Sequence, residues 1–379
     1  MSDKRKLFEE VSAPAPSAAE AAPQTGAIAR GHGARRGIRI WLWILFVMVA
    51  VMVVLGGMTR LTDSGLSITE WKPITGAIPP LSESAWMAEF ELYRQIPEYQ
   101  LQNKGMSLSE FKYIYWWEWG HRQLGRAIGL VWALGFFWFL LRRRIPAGWT
   151  VRLFSLGALG GLQGAIGWWM VSSGLTGRMV DVASYRLATH LGLAFIILGL
   201  IGWYLMKLGL PAQEALQARR RRDKRLARLA GAVAALAFFQ IILGALVAGI
   251  DAGRGYIDWP LMNGQFLPSE SFDYEPRWTN YFENPALVQF NHRIVGYLLV
   301  LLGLYAWWRS RRSALRSIQA SFNMVLAILA LQLVLGIATV VYAAPVHIAI
   351  LHQIGAMAVM MALLRARFVA QFPPQQSLR

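Results

Sequence analysis

Apolar positions in this chain gather into blocks instead of recurring at the spacing of short amphipathic elements. The blocks cover residues 38–58, 121–141, 153–171, 187–206, 229–250, 292–308, 318–341 and 346–364. Most approach the ~20 residues that carry an α-helix across ~30 Å of hydrocarbon, whereas a soluble domain of this size shows shorter periodic segments. The block opening at His292 is short, so its helix is expected to begin a few residues earlier. The pattern predicts an all-α polytopic membrane protein with eight transmembrane helices, an even number that leaves both termini on one side. Two connecting segments are long, 59–120 and 251–291, and hold acidic residues, prolines and aromatics. Loops of that length are functional or disordered. Aromatics such as Trp71, Trp86, Trp259 and Trp278 favour lids packed at the membrane surface. Helical patterns within the first loop fall at 83–93 and 107–117.

Charge changes the picture in one respect. A net charge of +17 would suit nucleic acid, but the basic residues are placed otherwise. They precede the first block (Lys4 to Lys6, Arg30, Arg35, Arg36, Arg39), follow the last (Arg365, Arg367), and fill every second loop: Arg142 to Arg144 with Arg152, Arg219 to Arg228, and Arg309 to Arg316. This is the positive-inside pattern, which puts both termini in the cytoplasm and assigns the charge to topology and anionic lipid. No nucleic-acid partner is expected. The chain has no cysteine, which excludes disulfides, thiolate metal sites and cysteine nucleophiles. The expected organisation is a disordered cytoplasmic tail over 1–37, a four-helix half over 38–206, a basic linker over 207–228, a second half over 229–369 and a short tail over 370–379. Glu9, Glu10 and Glu20 in the first tail argue against a mitochondrial transit peptide and for a bacterial inner membrane.

The two halves are copies. Trp119-Gly120-His121-Arg122 opens the second block and Phe290-Asn291-His292-Arg293 the sixth. The fourth carries Thr189-His190-Leu191-Gly192 and the eighth Leu351-His352-Gln353-Ile354-Gly355; the third and seventh share Leu-Gln and a glycine four residues on, at Gln163 and Gln332. His292 follows His121 by 171 residues and His352 follows His190 by 162, which fits one duplication with drift in loop length. Four spans per copy keep the orientation, so the fold expected is two tandem four-helix bundles related by a pseudo-twofold axis along the membrane normal.

Four of the six histidines thus sit near the start of an even-numbered span, at similar depth toward the external face. Burying one unpaired costs several kcal/mol, so a lone one is either hydrogen-bonded in the bundle or functional. Four at repeated positions favour function. Bundle cores commonly hold cofactors between facing helices, and haem iron takes axial imidazoles from opposite sides. Zinc would need further ligands that the sequence scarcely offers at this depth. The natural pairs are His121 with His190 and His292 with His352. His347, five residues before His352, lies about 140° away around a helix and is read as a span-end residue; His32 lies in the tail. Glu118, one turn before His121, has Gln289 as its counterpart before His292, which suggests one half turned to chemistry and the other to holding a cofactor. Arg122 and Arg293 are suited to pair with haem propionates, with interfacial snorkelling as the plain alternative.

Further residues carry a resemblance. Gly56-Gly57-Met58-Thr59-Arg60-Leu61-Thr62-Asp63-Ser64-Gly65-Leu66-Ser67-Ile68, then Glu70-Trp71-Lys72-Pro73, Gly76-Ala77-Ile78-Pro79-Pro80 and Trp117-Glu118-Trp119-Gly120-His121-Arg122-Gln123-Leu124-Gly125-Arg126 resemble the haem A synthase family, in its proteobacterial and mitochondrial form, over nearly the whole chain after the tail. The resemblance implies oxidation of the C8 methyl of haem O to the formyl group of haem A for terminal oxidases. It implies a haem B between His292 and His352, the substrate haem between His121 and His190, and a part for Glu118 in the reaction. Some family members carry a cysteine pair in the first half; this chain has none. Haem O synthase and an electron donor are the protein partners it suggests, and a homo-oligomer is compatible with it. The rival readings are a di-haem b-type electron-transfer protein and a transporter or haem-handling chaperone. Four histidines alone would serve the first equally well, but it would usually place its haems at different depths. The second leaves Glu118 without a role.

Overall fold

The computed structural model describes residues 25–177 and 179–375, with side chains from residue 35 onward. The side chain of His32 and residues 1–24 and 376–379 of the expected tails therefore lie outside what is described. Among the described residues the chain is helical without a strand; a single antiparallel bridge joins Met262 and Gln265. Its long helices are α1 (Thr25–Leu61), α2 (Leu108–Leu141), α3 (Thr150–Val171), α4 (Ser184–Gly209), α5 (Lys224–Gly249), α6 (Pro285–Ser310), α7 (Arg316–Val341) and α8 (Val346–Gln371). Seven of these are long and apolar enough to cross a membrane, counting α1 from Arg35. The exception is α3, whose five glycines, Gln163 and paired Trp168 and Trp169 dilute its hydropathy.

The helix starts follow local chemistry. Ser107 caps α2 and Glu110 reaches back to it, a capping box that satisfies two orphan N–H groups. Asp223 accepts from Arg225 and Leu226 N–H to open α5, and Asn284 with Pro285 opens α6 seven residues before His292. That confirms the earlier start expected for this helix. Three boundaries differ from expectation. Residues 25–37 already belong to α1, a short helix over Ala212–Arg220 occupies the basic linker, and the pattern at 107–117 is not a separate helix but the first turns of α2. At 34 residues α2 spans about 51 Å, well beyond the hydrocarbon thickness, so its first turns stand clear of it.

Helix α1 packs on α2 and α4, and α3 on the same two; α5 packs on α6 and α8, and α7 likewise. The two sets meet where α4 lies against α5 and α8, and where α1 lies against α8. Hydrophobic transfer cannot drive helices together in lipid, so close approach and dispersion must. Small residues accordingly form one buried face of α5, at Ala227, Ala230, Ala234 and Ala237. Gln353 on α8 lies against Gly57 and donates to Val53 O at 2.8 Å, joining the sets directly. The first long loop has a core of its own. Trp86, Phe90, Tyr93, Tyr99, Phe111 and Tyr115 bury one another over the α2 entrance, with Leu66 and Ile68 beneath. It is a packed lid, as its aromatic content predicts.

Candidate functional site

Each of the four histidines faces an antiparallel neighbour, and each ring rests on a glycine. A Cβ added at Gly167 of α3 or at Gly244 of α5 would lie 2.9 Å from Cε1 of His190 or His292, respectively. At Gly336 of α7 it would lie 3.0 Å from His352 Cε1, and at Gly56 of α1, 3.2 Å from His121 Nε2. Contacts that short are absent or rare for real side chains, so the missing Cβ creates the space each ring fills. His292 and His352 stand with ring centres 6.5 Å apart and planes at 79°. His121 and His190 are within electrostatic reach of each other. His347, second residue of α8, is exposed and apart from these rings. Among the described residues no group of three or more His, Asp or Glu is placed to hold a bare metal ion.

Glutamines tie three of these histidines down. Gln163 Nε2 donates to His190 O at 3.0 Å, Gln240 to His292 O at 2.8 Å and Gln332 to His352 O at 2.8 Å. Gln163 and Gln240 also reach their ring Nδ1 atoms, at 3.2 and 3.0 Å. Each glutamine precedes its glycine by four residues, so amide and bare Cα lie on one helix face.

Beside His121, Glu118 is buried and saturated with donors. Its Oε1 accepts from Arg122 Nη2 at 2.6 Å and Nε at 3.0 Å. Its Oε2 accepts from Ile68 N–H at 2.7 Å and Ser67 Oγ at 2.8 Å. Arg122 continues to Ile68 O and Glu70 O, so a charged pair on α2 clamps the stretch of lid that leaves α1. In the second set Arg293 holds the corresponding loop through Tyr256 O, Asp258 O and Leu261 O. Gln289 donates to the same Tyr256 O at 3.1 Å. There no charge pair forms, and Arg293 Nε and Gln289 Oε1 are buried without partners.

Acidic groups surround the lid. Arg60, at the end of α1, reaches Asp63 at 2.9 Å, Asp181 at 3.3 Å and Asp251 at 2.8 Å, and donates to Ala248 O, thereby binding α1 to the end of α5. Burial pushes the Asp181 carboxyl up, against the pull of Arg60. Glu98, buried in the lid helix Pro97–Leu101, is pushed up to about 8 by burial, then by the charges of Asp181, Glu118 and Asp63.

A family model described as cytochrome oxidase assembly protein (COX15-CtaA) matches residues 39–364, a span that includes all of these side chains. The chain belongs to this family. Curated relatives agree over full length. It is 64% identical to the "Heme A synthase" of Dinoroseobacter shibae over 379 residues, covering 100% of this chain and 99% of that one. It is 60% identical to the protein of that name from Ruegeria pomeroyi over 382 residues, with 100% of each covered. Against that of Paracoccus denitrificans it is 56% identical over 377 residues, covering 99% and 98%.

For this cytochrome oxidase assembly family member, the residues singled out from sequence fall where helices converge. Glu118 and Arg122 meet beside His121, and His292 meets His352. Arg122 and Arg293 are occupied by loop carbonyls. Sequence reasoning missed Gln240, Ser67 and the backbone of Ile68. The spacing Gln240–Gly244 matches that of Gln163–Gly167 and Gln332–Gly336, and could have revealed the first of them.

Proposed function

We propose that this chain is a haem A synthase, oxidising the C8 methyl of haem O through the alcohol level to the formyl group of haem A. On this reading all eight long helices span a bacterial inner membrane as two tandem four-helix halves related by a pseudo-twofold axis. Both termini are cytoplasmic and the histidines lie toward the periplasm, as the basic loops require. His121 and His190 hold the substrate haem, and His292 and His352 a resident haem B. Haem O synthase and a separate electron donor are its expected partners.

One observation carries the assignment of a haem: the spacing of His292 and His352. The two rings face each other with centres 6.5 Å apart and would hold a haem iron between them. Glycine-backed rings leave room for correction, and Arg293 Nε, buried and unpartnered, is a donor open to a propionate. When bound, the haem iron supplies the redox chemistry, and the protein supplies ligation, orientation and charge.

The side chains beside His121 handle protons and exclude water. Glu118 accepts four hydrogen bonds, two from a guanidinium, so both of its oxygens are fully engaged. It gains a proton only by giving up one of these donors. Oε2 is the readier side, because Ser67 can turn its hydroxyl to Ser64 O instead. The lid clamped by Glu118 and Arg122 keeps bulk water from the same place.

The test is haem extraction from purified wild type and Glu118→Gln, each expressed with a haem O supply. Wild type should yield haem B and haem A, and the variant haem B with haem O or a half-oxidised intermediate. Haem B alone from wild type would make the chain a di-haem electron carrier instead.

A further inference from the structure

The glutamine that ties down three of the histidines is absent from the fourth. His121 rests on Gly56 as the others rest on their glycines, yet the residue four positions before Gly56 is Met52. Met52 occupies the place of the amide. Its Cε lies 3.6 Å from a Cβ built on Gly125, four residues after His121, just as Gln240 Nε2 lies 3.2 Å from a Cβ built on Gly296, four residues after His292. A thioether cannot donate a hydrogen bond, and a thioether sulfur accepts only weakly. Among the described residues nothing hydrogen-bonds to the His121 side chain, whereas Gln163, Gln240 and Gln332 each donate to the backbone carbonyl of their histidine, and Gln163 and Gln240 also lie within 3.2 Å of its Nδ1.

The tethers also suit a metal-bound ring. Imidazole that gives one nitrogen to a metal donates its other N–H to a nearby acceptor, and that partner fixes the ring and strengthens the ligand. The Oε1 atoms of Gln163, Gln240 and Gln332 are all buried without a partner. A half-turn of the amide presents that oxygen to the ring in exchange for the bond to the histidine carbonyl. Met52 offers His121 no equivalent.

We propose that Met52 makes His121 the one weakly held axial ligand of the four, and that this sets which haem exchanges. The inference rests on the haem assignment proposed above. A substrate haem must enter as haem O and leave as haem A, so its site needs a ligand that lets go. A resident haem must stay, and both of its histidines carry the glutamine. Met52 and Gln240 are thus positioning residues that separate an exchangeable site from a retentive one on a shared scaffold.

The experiment is haem transfer from the full-length, haem-loaded protein to excess apomyoglobin, followed in the visible spectrum, with extraction identifying the haem lost in each phase. Wild type should show a fast phase of haem O or A and a slow phase of haem B. Removing an outer partner of a metal-bound histidine typically costs about 10–100-fold in affinity. Met52→Gln should therefore slow the fast phase about tenfold or more, Gln240→Met should speed loss of haem B by a similar factor, and Met52→Leu should match wild type. An unchanged fast phase in Met52→Gln overturns the proposal, as does a Met52→Leu rate that moves with Met52→Gln. His121→Ala separates this from the underlying assignment. If it leaves the fast phase intact, His121 is not a ligand of the exchanging haem and the site assignment fails. If it abolishes that phase while Met52→Gln leaves it untouched, only the present inference fails.

Discussion

Replacing Glu118 by glutamine tests whether this carboxylate holds the lid. The side chain is 3% exposed and keeps its shape on substitution, but the amide has one acceptor atom where the carboxylate has two. With its oxygen toward Arg122, its NH2 faces the Ile68 N–H and leaves that donor unsatisfied. Reversed, it faces the guanidinium. An unsatisfied buried donor costs about 1–3 kcal/mol. Removing one partner of a fully buried ion pair costs about 3–5 kcal/mol. The second figure must be discounted, since Arg122 is 17% exposed and retains Ile68 O and Glu70 O. A loss of about 3 kcal/mol in the free energy of opening follows, or about a hundredfold at ~1.4 kcal/mol per decade. Hydrogen exchange by mass spectrometry in nanodiscs reads it directly. Peptides covering residues 64–72 should exchange about a hundredfold faster in Glu118→Gln, while those covering 251–265 serve as an unchanged internal control. Arg122→Ala should loosen the same peptides. Protection within about threefold of wild type would refute the latch.

Other expectations follow from the same contacts. Glu98, at about 8 when folded against an ordinary 4.5, binds its proton more tightly in the folded state. Its contribution to stability is therefore greatest below pH ~4.5, declines through about pH 8, and is constant above. The melting temperature of Glu98→Gln relative to wild type should rise across that window, and an infrared carboxyl band present at pH 6 should vanish in the variant; a flat difference counts against the buried neutral acid. Gly244→Val or Gly336→Val drives a side chain into His292 or His352, so haem B content, read as the pyridine haemochrome, should fall to near zero with helical circular dichroism preserved. Full occupancy would show that the rings do not need those gaps. Arg60→Met strands Asp181 and Asp251, each about one-third exposed, so the cost is nearer 1–2 kcal/mol than the value for a dry pair and should appear as a lower melting temperature. An unchanged melting temperature would mean that solvent already screens the network.

What sequence made legible was periodic or repeated. Helices α1, α2 and α4 to α8 could be placed because apolar blocks of membrane length need no partner to be seen, and the four histidines because duplication printed them twice. The α2 start illustrates the limit. Ser107 and Glu110 have capping-box spacing, but the aromatic run and Gly120 before His121 look like the end of a separate lid helix. The backbone hydrogen bonds continue through that change of surroundings, and a Cβ on Gly120 would meet nothing within 4 Å, so the glycine weakens the helix without ending it. The bonds from Ser67 and Ile68 to Glu118 join residues 50 and 51 positions apart, and no local pattern encodes them. The α3 span falls short on hydropathy through its five glycines, of which Gly157 makes room for Trp132 and Gly167 for His190.

Two differences between the sets fall around one histidine. Glu118 in place of a glutamine and Met52 in place of a glutamine flank His121, whereas nothing comparable separates His190 from His352: each has its glutamine, its glycine and the same bond to its backbone carbonyl. A duplicated bundle that needed only two equivalent haems would gain nothing from concentrating change on one ligand. On the function proposed here the concentration has a physical reason. His121 and His190 would both have to release a substrate haem for it to exchange; a loosely held His121 would let go first, with His190 last, and the lid beside His121 would have to open. The lid is latched at Glu118, one turn from His121, so the groups that admit water and the ligand that releases first lie on the same face of α2. His190, tethered through Gln163, is then the ligand that keeps orientation. Loss of that tether should scatter the position of attack, so Gln163→Met should yield a mixture of haem O oxidation products, whereas Met52→Gln should yield haem A slowly but cleanly. Chromatography of extracted haems distinguishes the two. Identical product distributions would mean that the two ligands share both tasks.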